Sequence, residues 1–350
     1  MKVTKAHAWT STPPLRTAQA GVTMIELMVA MVISLILIAG VIQIFLGSQQ
    51  AYRFQESLSR VQENGRFASE LLTRDTRMAD YRGCAGQAFD DGDLTDLVTG
   101  GGSETFTFAD AVMGYTYDNG WSPALDPEAD GENPSTHSDI VRLRSLAYGP
   151  NARVLGDDGQ SSGTNLFVSQ AEGFEKNQRV IATNCTEGVR FQIQNMQTDT
   201  NPPQMTVGGG NPQFYETYLP DRVHGEPQDR FFFVADNDRG TPALFRFQGG
   251  QRQELVEGVE RMVIEYGEHT TDCPAMDGNN YVDAYRSADQ VDRWDCVVAV
   301  RFSLLVRAEQ DNVTDEPQTV SFPPGEEFTA DDRRLRQVFT TTIGVRNRLP

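Results

Sequence analysis

In this chain of 350 residues, the four histidines and four cysteines are the side chains best suited to metal binding or nucleophilic chemistry. His7, His137, His224 and His269 are widely separated, and the last three fall in loop-like stretches. A serine or cysteine nucleophile needs a base and an orienting acid, and no Gly-x-Ser-x-Gly elbow is present. Gly100-Gly101-Gly102 has neither the lysine nor the helix start of a phosphate loop. Catalysis is therefore not expected. The best metal candidate is Asp277-Gly278-Asn279-Asn280-Tyr281-Val282-Asp283, where Asp277, Asn279 and Asp283 put oxygen ligands at the first, third and seventh places, as in some calcium loops. The closing glutamate and the usual glycine placement are missing, so a surface turn is the preferred reading and no cofactor is expected, with calcium the ion to test. His269 with Cys273 and Cys296 fits no structural-zinc spacing. Asp236-Asn237-Asp238 reads as a turn. Phe231-Phe232-Phe233, Tyr215 and Tyr218 read as packing residues.

Charge narrows the partners. The chain has 49 acidic and 30 basic residues, a formal net charge of -19. Such a surface repels phosphate backbones, and nucleic acid is not an expected partner. Removing residues 1–21 would take away Lys2, Lys5 and Arg16 and no acid, leaving the rest more acidic still.

One element must position everything else. Residues 22–46 form the only long apolar run and hold a single charge, Glu26. That length spans a bilayer core as a helix. Lys2, Lys5 and Arg16 precede it, whereas Arg53 and Arg60 beyond it are offset by Glu56 and Glu63, so the N-terminus should face the cytoplasm. Cys84, Cys185, Cys273 and Cys296 then lie in an oxidising compartment. Three connectivities are open to them, of which Cys84 with Cys185 and Cys273 with Cys296 is favoured. The latter bridge would contribute roughly 3 kcal/mol in the loop-entropy picture. Past the apolar run, Phe54, Leu58, Val61, Ala68 and Leu72 recur mostly at three or four residues among charged neighbours, so an amphipathic helix continues to about residue 80. Around the apolar half Gly40 and Gly47 are the only flexible points, and no proline interrupts that run.

The order of parts at the N-terminus is informative. A secretory signal is cut after its apolar region, which is then discarded. Here a polar, weakly basic stretch ends at Gly21, and Val22-Thr23-Met24-Ile25-Glu26 opens the apolar run. This resembles the type IV prepilin signature, with a glycine before the cut, an aliphatic first mature residue and a glutamate at the fifth mature position. The resemblance implies cleavage between Gly21 and Val22 by a prepilin peptidase, and methylation of Val22. It also implies an assembly role for Glu26, whose buried carboxylate would meet the N-terminal ammonium of a neighbouring subunit. A carboxylate in an apolar helix costs a few kcal/mol unless compensated. The alternative is that Glu26 sits at the headgroup level and favours the positive end of its own helix, and both readings stay open.

The remainder reads as a β-rich head. Strands are expected near residues 104–108, 140–146, 165–169, 179–183, 189–194, 230–235, 244–247, 259–266, 296–307 and 335–345. Val298, Val300, Phe302, Leu304 and Val306 alternate with other residues over the best of them. Residues 251–260 could form a short helix. Long loops are expected at 118–138, 198–227 and 309–332. Asp139 to Leu143, Leu255 to Val259 with Ile264-Glu265-Tyr266, Trp294 to Arg307, and the final Val345-Arg346-Asn347-Arg348 are similar to PilW-type minor pilins, relatives of the J-type pseudopilins of type II secretion. The resemblance implies an α+β, type IV pilin-like fold. Its parts would be a leader (1–21), a transmembrane and filament-core helix (22–46), the amphipathic continuation (47–80) and a periplasmic head (81–350). Expected partners are other major and minor pilins, prepilin peptidase and the inner-membrane assembly machinery. The expected location is the inner membrane as a single-pass protein, then the pilus. A secretion pseudopilin and a tip adhesin are the alternative functions.

Overall fold

The structure, a computed structural model, describes residues 21–83, 94–97, 110–125, 127–156, 161–209, 212–269 and 281–349. The chain divides into two compact units, residues 1–53 and 54–350, and each is taken by itself. One helix, Met24–Met78, supplies the described core of the first unit and the opening of the second. It runs through Gly40 and Gly47 without a break, because glycine weakens a helix but keeps its ladder. In the first unit it is apolar enough to cross a membrane, and every residue in it is exposed.

In the second unit the helix buries a narrow stripe of Ser57, Val61, Gly65, Ala68, Leu72, Asp75 and Thr76. Most of these are small, so the backbone approaches the sheets closely. Gly65 lies directly under the Phe339 ring, where a β-carbon would overlap it. The stripe joins one core with Val141, Phe232, Met262, Tyr266, Phe302 and Leu304.

Three main sheets make the head, nearly all antiparallel. A four-stranded sheet runs in the order Ala284–Arg286, Val259–Glu268, Val297–Arg307, Arg336–Gly344. A six-stranded sheet is built on Gln228–Asp236, flanked by Ile140–Ser145 and Pro242–Gln248. The third has Arg179–Thr183 and Gly188–Gln197 at its centre, with a separate apolar core around Phe191 and Phe214. Leu94–Asp96 pairs parallel with Gly188–Gln197, an exception to the antiparallel rule. Phe231-Phe232-Phe233 alternate between faces. Phe232 enters the helix-side core, while Phe231 and Phe233 enter a further cluster with Tyr115, Phe245 and Phe247. A strand buried on both faces reads as a continuous apolar run, as this one does.

Two expectations are corrected. Residues 251–260 are not helical: Gln251–Glu257 is an edge strand paired with Pro242–Gln248. Gly249 and Gly250, both at positive φ (57° and 74°), make the tight hairpin turn that decides it. The three long loops are also partly regular. They hold the helices Pro127–Asp130 and Phe214–Tyr218, the strands Trp121–Ser122, Gln204–Val207 and Arg222–Gly225, and the hairpin of Thr319–Ser321 with Glu327–Thr329. Each is too short for a periodic pattern to show in sequence. The strand expected at 104–108 lies outside the described residues.

Chain direction is handed from one sheet to the next at Gly258. Its φ of 85° lets Gln251–Glu257 of the six-stranded sheet lead at once into Val259–Glu268 of the four-stranded one. A side chain there would meet the Arg307 carbonyl at 2.7 Å.

Candidate functional site

The N-terminal site is small and almost wholly local. Gly21, Val22 and Thr23 are non-helical and exposed, and the helix begins at Met24. Thr23 occupies the cap position. Its backbone N–H and its hydroxyl both donate to the Glu26 carboxylate at 2.9 Å, and the Glu26 N–H donates back to the Thr23 hydroxyl at 3.3 Å. This reciprocal arrangement is a capping box, which satisfies helix-end donors that would otherwise lack partners. The Glu26 carboxylate thus has partners inside its own chain. The Thr-x-x-Glu spacing was present in the sequence as a signal for Thr23, and the reading of Glu26 as an assembly residue passed over it.

At its other end the helix is held by distant residues. Asp80, at φ 59°, turns the chain out of the helix. Its carboxylate accepts from Arg82 Nε at 2.7 Å and from Arg348 Nε at 2.6 Å. Arg348 also donates to the carbonyls of Trp294 and Val297. Asn347 Nδ2 donates to the Ala79 carbonyl at 2.7 Å and reaches the Arg77 carbonyl at 3.4 Å. The last carbonyls of a helix need outside donors, and here a side chain far along the sequence supplies them. One turn earlier Asp75 accepts from Arg230 at 2.9 Å, and Tyr148 donates its hydroxyl to the Asp75 carbonyl at 2.7 Å. Arg230 lies over the Tyr148 ring, 4.0 Å from its centre. These contacts fasten 54–78 to the sheets by paired, buried charge as well as by apolar contact.

Other candidates are placed as follows. Cys185 and Cys296 are disulfide-bonded, while Cys84 and Cys273 lie outside the described residues. Asp277 and Asn279 of the calcium candidate lie outside them too. Asp283 donates its N–H to the Glu268 carbonyl, and its carboxylate stands 3.4 Å from His269 Nδ1. Among the described residues, no group of three or more histidine, cysteine or acidic side chains is placed to hold a metal. Two histidines expected in loops are buried instead. His269 directs Nδ1 at the Tyr281 carbonyl at 3.0 Å. His224 lies within strand Arg222–Gly225, and burial pushes its imidazole down to about 4. Neither of its nitrogens has a hydrogen-bond partner among the described residues. At Asp236-Asn237-Asp238 the expected turn is present, closed by the Asn237 side-chain oxygen, which accepts from the Arg239 and Thr241 N–H groups at 3.0 Å each.

Comparison with known proteins bears on both ends of the chain. The prokaryotic N-terminal methylation motif matches residues 16–42, which include Gly21, Val22, Thr23 and Glu26. The type IV pilus-assembly protein W family matches residues 231–347. Residues 231–347 are thus similar to the PilW family, and residues 16–42 to the N-terminal methylation motif. The PilW-type segment contains the four-stranded sheet, the Gly258 crossover and Asn347 at the helix end. Among solved structures, a type IV-like pilin from Thermus thermophilus aligns over 82% of this chain and 98% of its own, at 14% identity and a TM-score of 0.32. No curated protein matches significantly in sequence.

Proposed function

We propose that this PilW-type chain is a minor pilin that takes part in type IV pilus assembly or priming. Prepilin peptidase cleaves between Gly21 and Val22, Val22 is methylated, and residues 22–46 hold the subunit in the inner membrane with the head in the periplasm. The subunit then enters the pilus or its tip beside other major and minor pilins, drawn out by the inner-membrane assembly machinery. Cys84 bonds Cys185 and Cys273 bonds Cys296. The observation that carries the reading is an exposed, non-helical Gly21–Val22 junction directly ahead of a capped helix whose apolar stretch, up to residue 46, holds Glu26 as its single charge.

Physical chemistry gives each part its task. A peptidase needs an extended, accessible bond, and the cap at Thr23 keeps residues 21–22 out of the helix. The apolar run keeps the subunit in lipid until it is extracted. Glu26 bears a charge that lipid disfavours, which rewards transfer to a site with a counter-charge. The test is the mass of the N-terminal peptide from membrane-extracted protein. It should begin at Val22 with one added methyl group, and a polypeptide that retains residues 1–21 overturns the reading. Loss of pili in a deletion strain separates this role from that of a secretion pseudopilin, whose deletion would abolish secretion.

A further inference from the structure

A cavity of about 800 Å³, within the range of ligand pockets, opens beside the Gly258 crossover. Two residues of its lining hold that crossover: the Gly258 N–H donates to the Pro242 carbonyl, and the Arg307 N–H donates to the Gly258 carbonyl, each at 2.8 Å. Residues 133–137 line it as well and are tied to both sheets. The Ser135 N–H donates to the Val234 carbonyl at 2.7 Å, and the adjoining Ser138 hydroxyl accepts from the Met262 N–H at 3.1 Å. Three arginines line the cavity, Arg252, Arg261 and Arg307, against two acids, Asp236 and Glu260. In a chain of net charge -19 this is a local excess of one positive charge.

The three arginines differ in what already occupies them. Arg252 donates to the Glu132 and Asp236 carbonyls at 3.1 and 3.0 Å and lies 3.8 Å from the centre of the Phe245 ring. Arg307 stands 3.5 Å from Glu260, whose carboxylate already accepts from Arg336 at 2.7 and 3.0 Å. The half-buried Arg261 guanidinium meets the Phe328 ring, 4.6 Å from its centre, and has no ion pair or hydrogen bond among the described residues. Its planar fork is pre-set on the ring, and its five N–H donors have no protein acceptor.

We propose that this cavity binds a carboxylate carried on a short peptide segment, with Arg261 as the receiving fork and Arg307 beside it. Guanidinium forks suit carboxylate and phosphate alike. A carboxylate brings one negative charge, which matches the local excess, whereas a phosphate dianion brings two into a cavity that already holds Asp236 and Glu260. The lining has neither a lysine nor the start of a helix to offset the second. Extended polyanions are repelled by the acidic remainder of the chain. The volume exceeds that of a lone carboxylate and leaves room for the residues that carry it. An acidic side chain and a free C-terminus present the same group.

The test titrates the full chain in detergent with a short fluorescent peptide that holds one glutamate and is capped at both ends, read by polarisation. A capped glutamine version, a glutamine version with a free C-terminus, and inorganic phosphate as competitor form the other arms. A carboxylate peptide should bind and the capped glutamine version should not; which of the two carboxylate peptides binds names the side chain or the terminus as the source. Arg261→Ser should weaken binding about tenfold, the worth of one charge-assisted contact. Arg261→Lys should keep part of it, since the charge stays and the fork is lost. Asp236, exposed and without an ion pair among the described residues, gives a variant that loss of folding cannot imitate: Asp236→Asn should tighten binding. Arg153→Gln, on an exposed position of the third sheet, should leave it unchanged. Equal binding of the capped glutamine peptide, binding of no peptide, displacement by phosphate at lower concentration than peptide, or indifference to both Arg261→Ser and Asp236→Asn overturns the assignment. The cavity lies wholly in the head, so that failure is distinct from the N-terminal mass that judges the pilin reading.

Discussion

Arg348 Nε and Asp80 Oδ2 meet at 2.6 Å with their side chains 4% and 2% exposed, joining the helix exit to a residue 268 positions away. Removing one partner of a buried pair leaves the other charge without full compensation. Arg82 still holds Asp80 in that case. Arg348→Met should therefore cost about 3 kcal/mol, the low end for a broken buried pair. Asp80→Asn tolerates the left-handed backbone but leaves both Arg82 and the buried Arg348 without a carboxylate, so it should cost at least as much. Urea unfolding of the full chain in detergent measures both, and a clearly smaller loss in Asp80→Asn would argue against the charge pairing.

Gly65→Ala tests the close approach of helix and sheet. Alanine favours an isolated helix by about 1 kcal/mol, yet here its β-carbon would overlap Phe339. Overpacking should win, for a net loss of about 1–3 kcal/mol. Phe339→Leu should cost less in the Gly65→Ala background than alone, because the two positions touch. Additive losses in thermal melts of the four variants would show that the ring simply moves aside.

Asp139 and His224 should oppose each other in pH. Burial raises the Asp139 carboxyl to about 6 from 3.8, although the Ile264 N–H donates to it at 2.7 Å. The folded state holds that proton more tightly, so this stability is complete below 3.8 and lost as pH rises through 6. His224 is shifted the other way, from 6.5 to about 4. The unfolded state then takes up its proton first, so this stability is complete above 6.5 and lost as pH falls through 4. Each shift corresponds to about 3 kcal/mol. Asp139→Asn should leave stability rising with pH between about 4 and 6.5, and His224→Leu should leave it falling over nearly the same window. Denaturant midpoints at about pH 4, 5, 6 and 7 decide it, and an unchanged slope in either variant refutes the assignment for that residue.

Thr23→Val tests the cap without touching the carboxylate. Loss of the hydroxyl removes two of the three capping contacts and should cost the first turn about 1 kcal/mol. Hydrogen exchange at residues 24–27 in detergent should quicken by several-fold, while exchange in the sheets stays the same. No change there would mean that Glu26 and the Thr23 N–H suffice.

How far the fold was legible follows from these same residues. The strand Val297–Arg307 announced itself because its alternation persists over many residues and its inner face is wholly apolar. The helix was plain because two patterns, an apolar run and a stripe of small and apolar residues, join without a proline. Gln251–Glu257 was misread because an exposed edge strand carries charges that resemble a helix surface, although its Gly-Gly turn was in view. Arg348 and Asn347 could be seen as a motif but not as a helix cap, since nothing local joins residues so far apart. His224 gave no sign at all, for a short strand between turns has no period.

Gly258 has a mechanical consequence. Because the backbone passes there without a loop, the hairpin of one sheet and the central ladder of the next form a single ribbon. A pull along that ribbon loads two hydrogen-bond ladders in series, so the sheets share shear although their apolar interiors are partly separate. A longer, softer join would let one ladder unzip before its neighbour felt the tension.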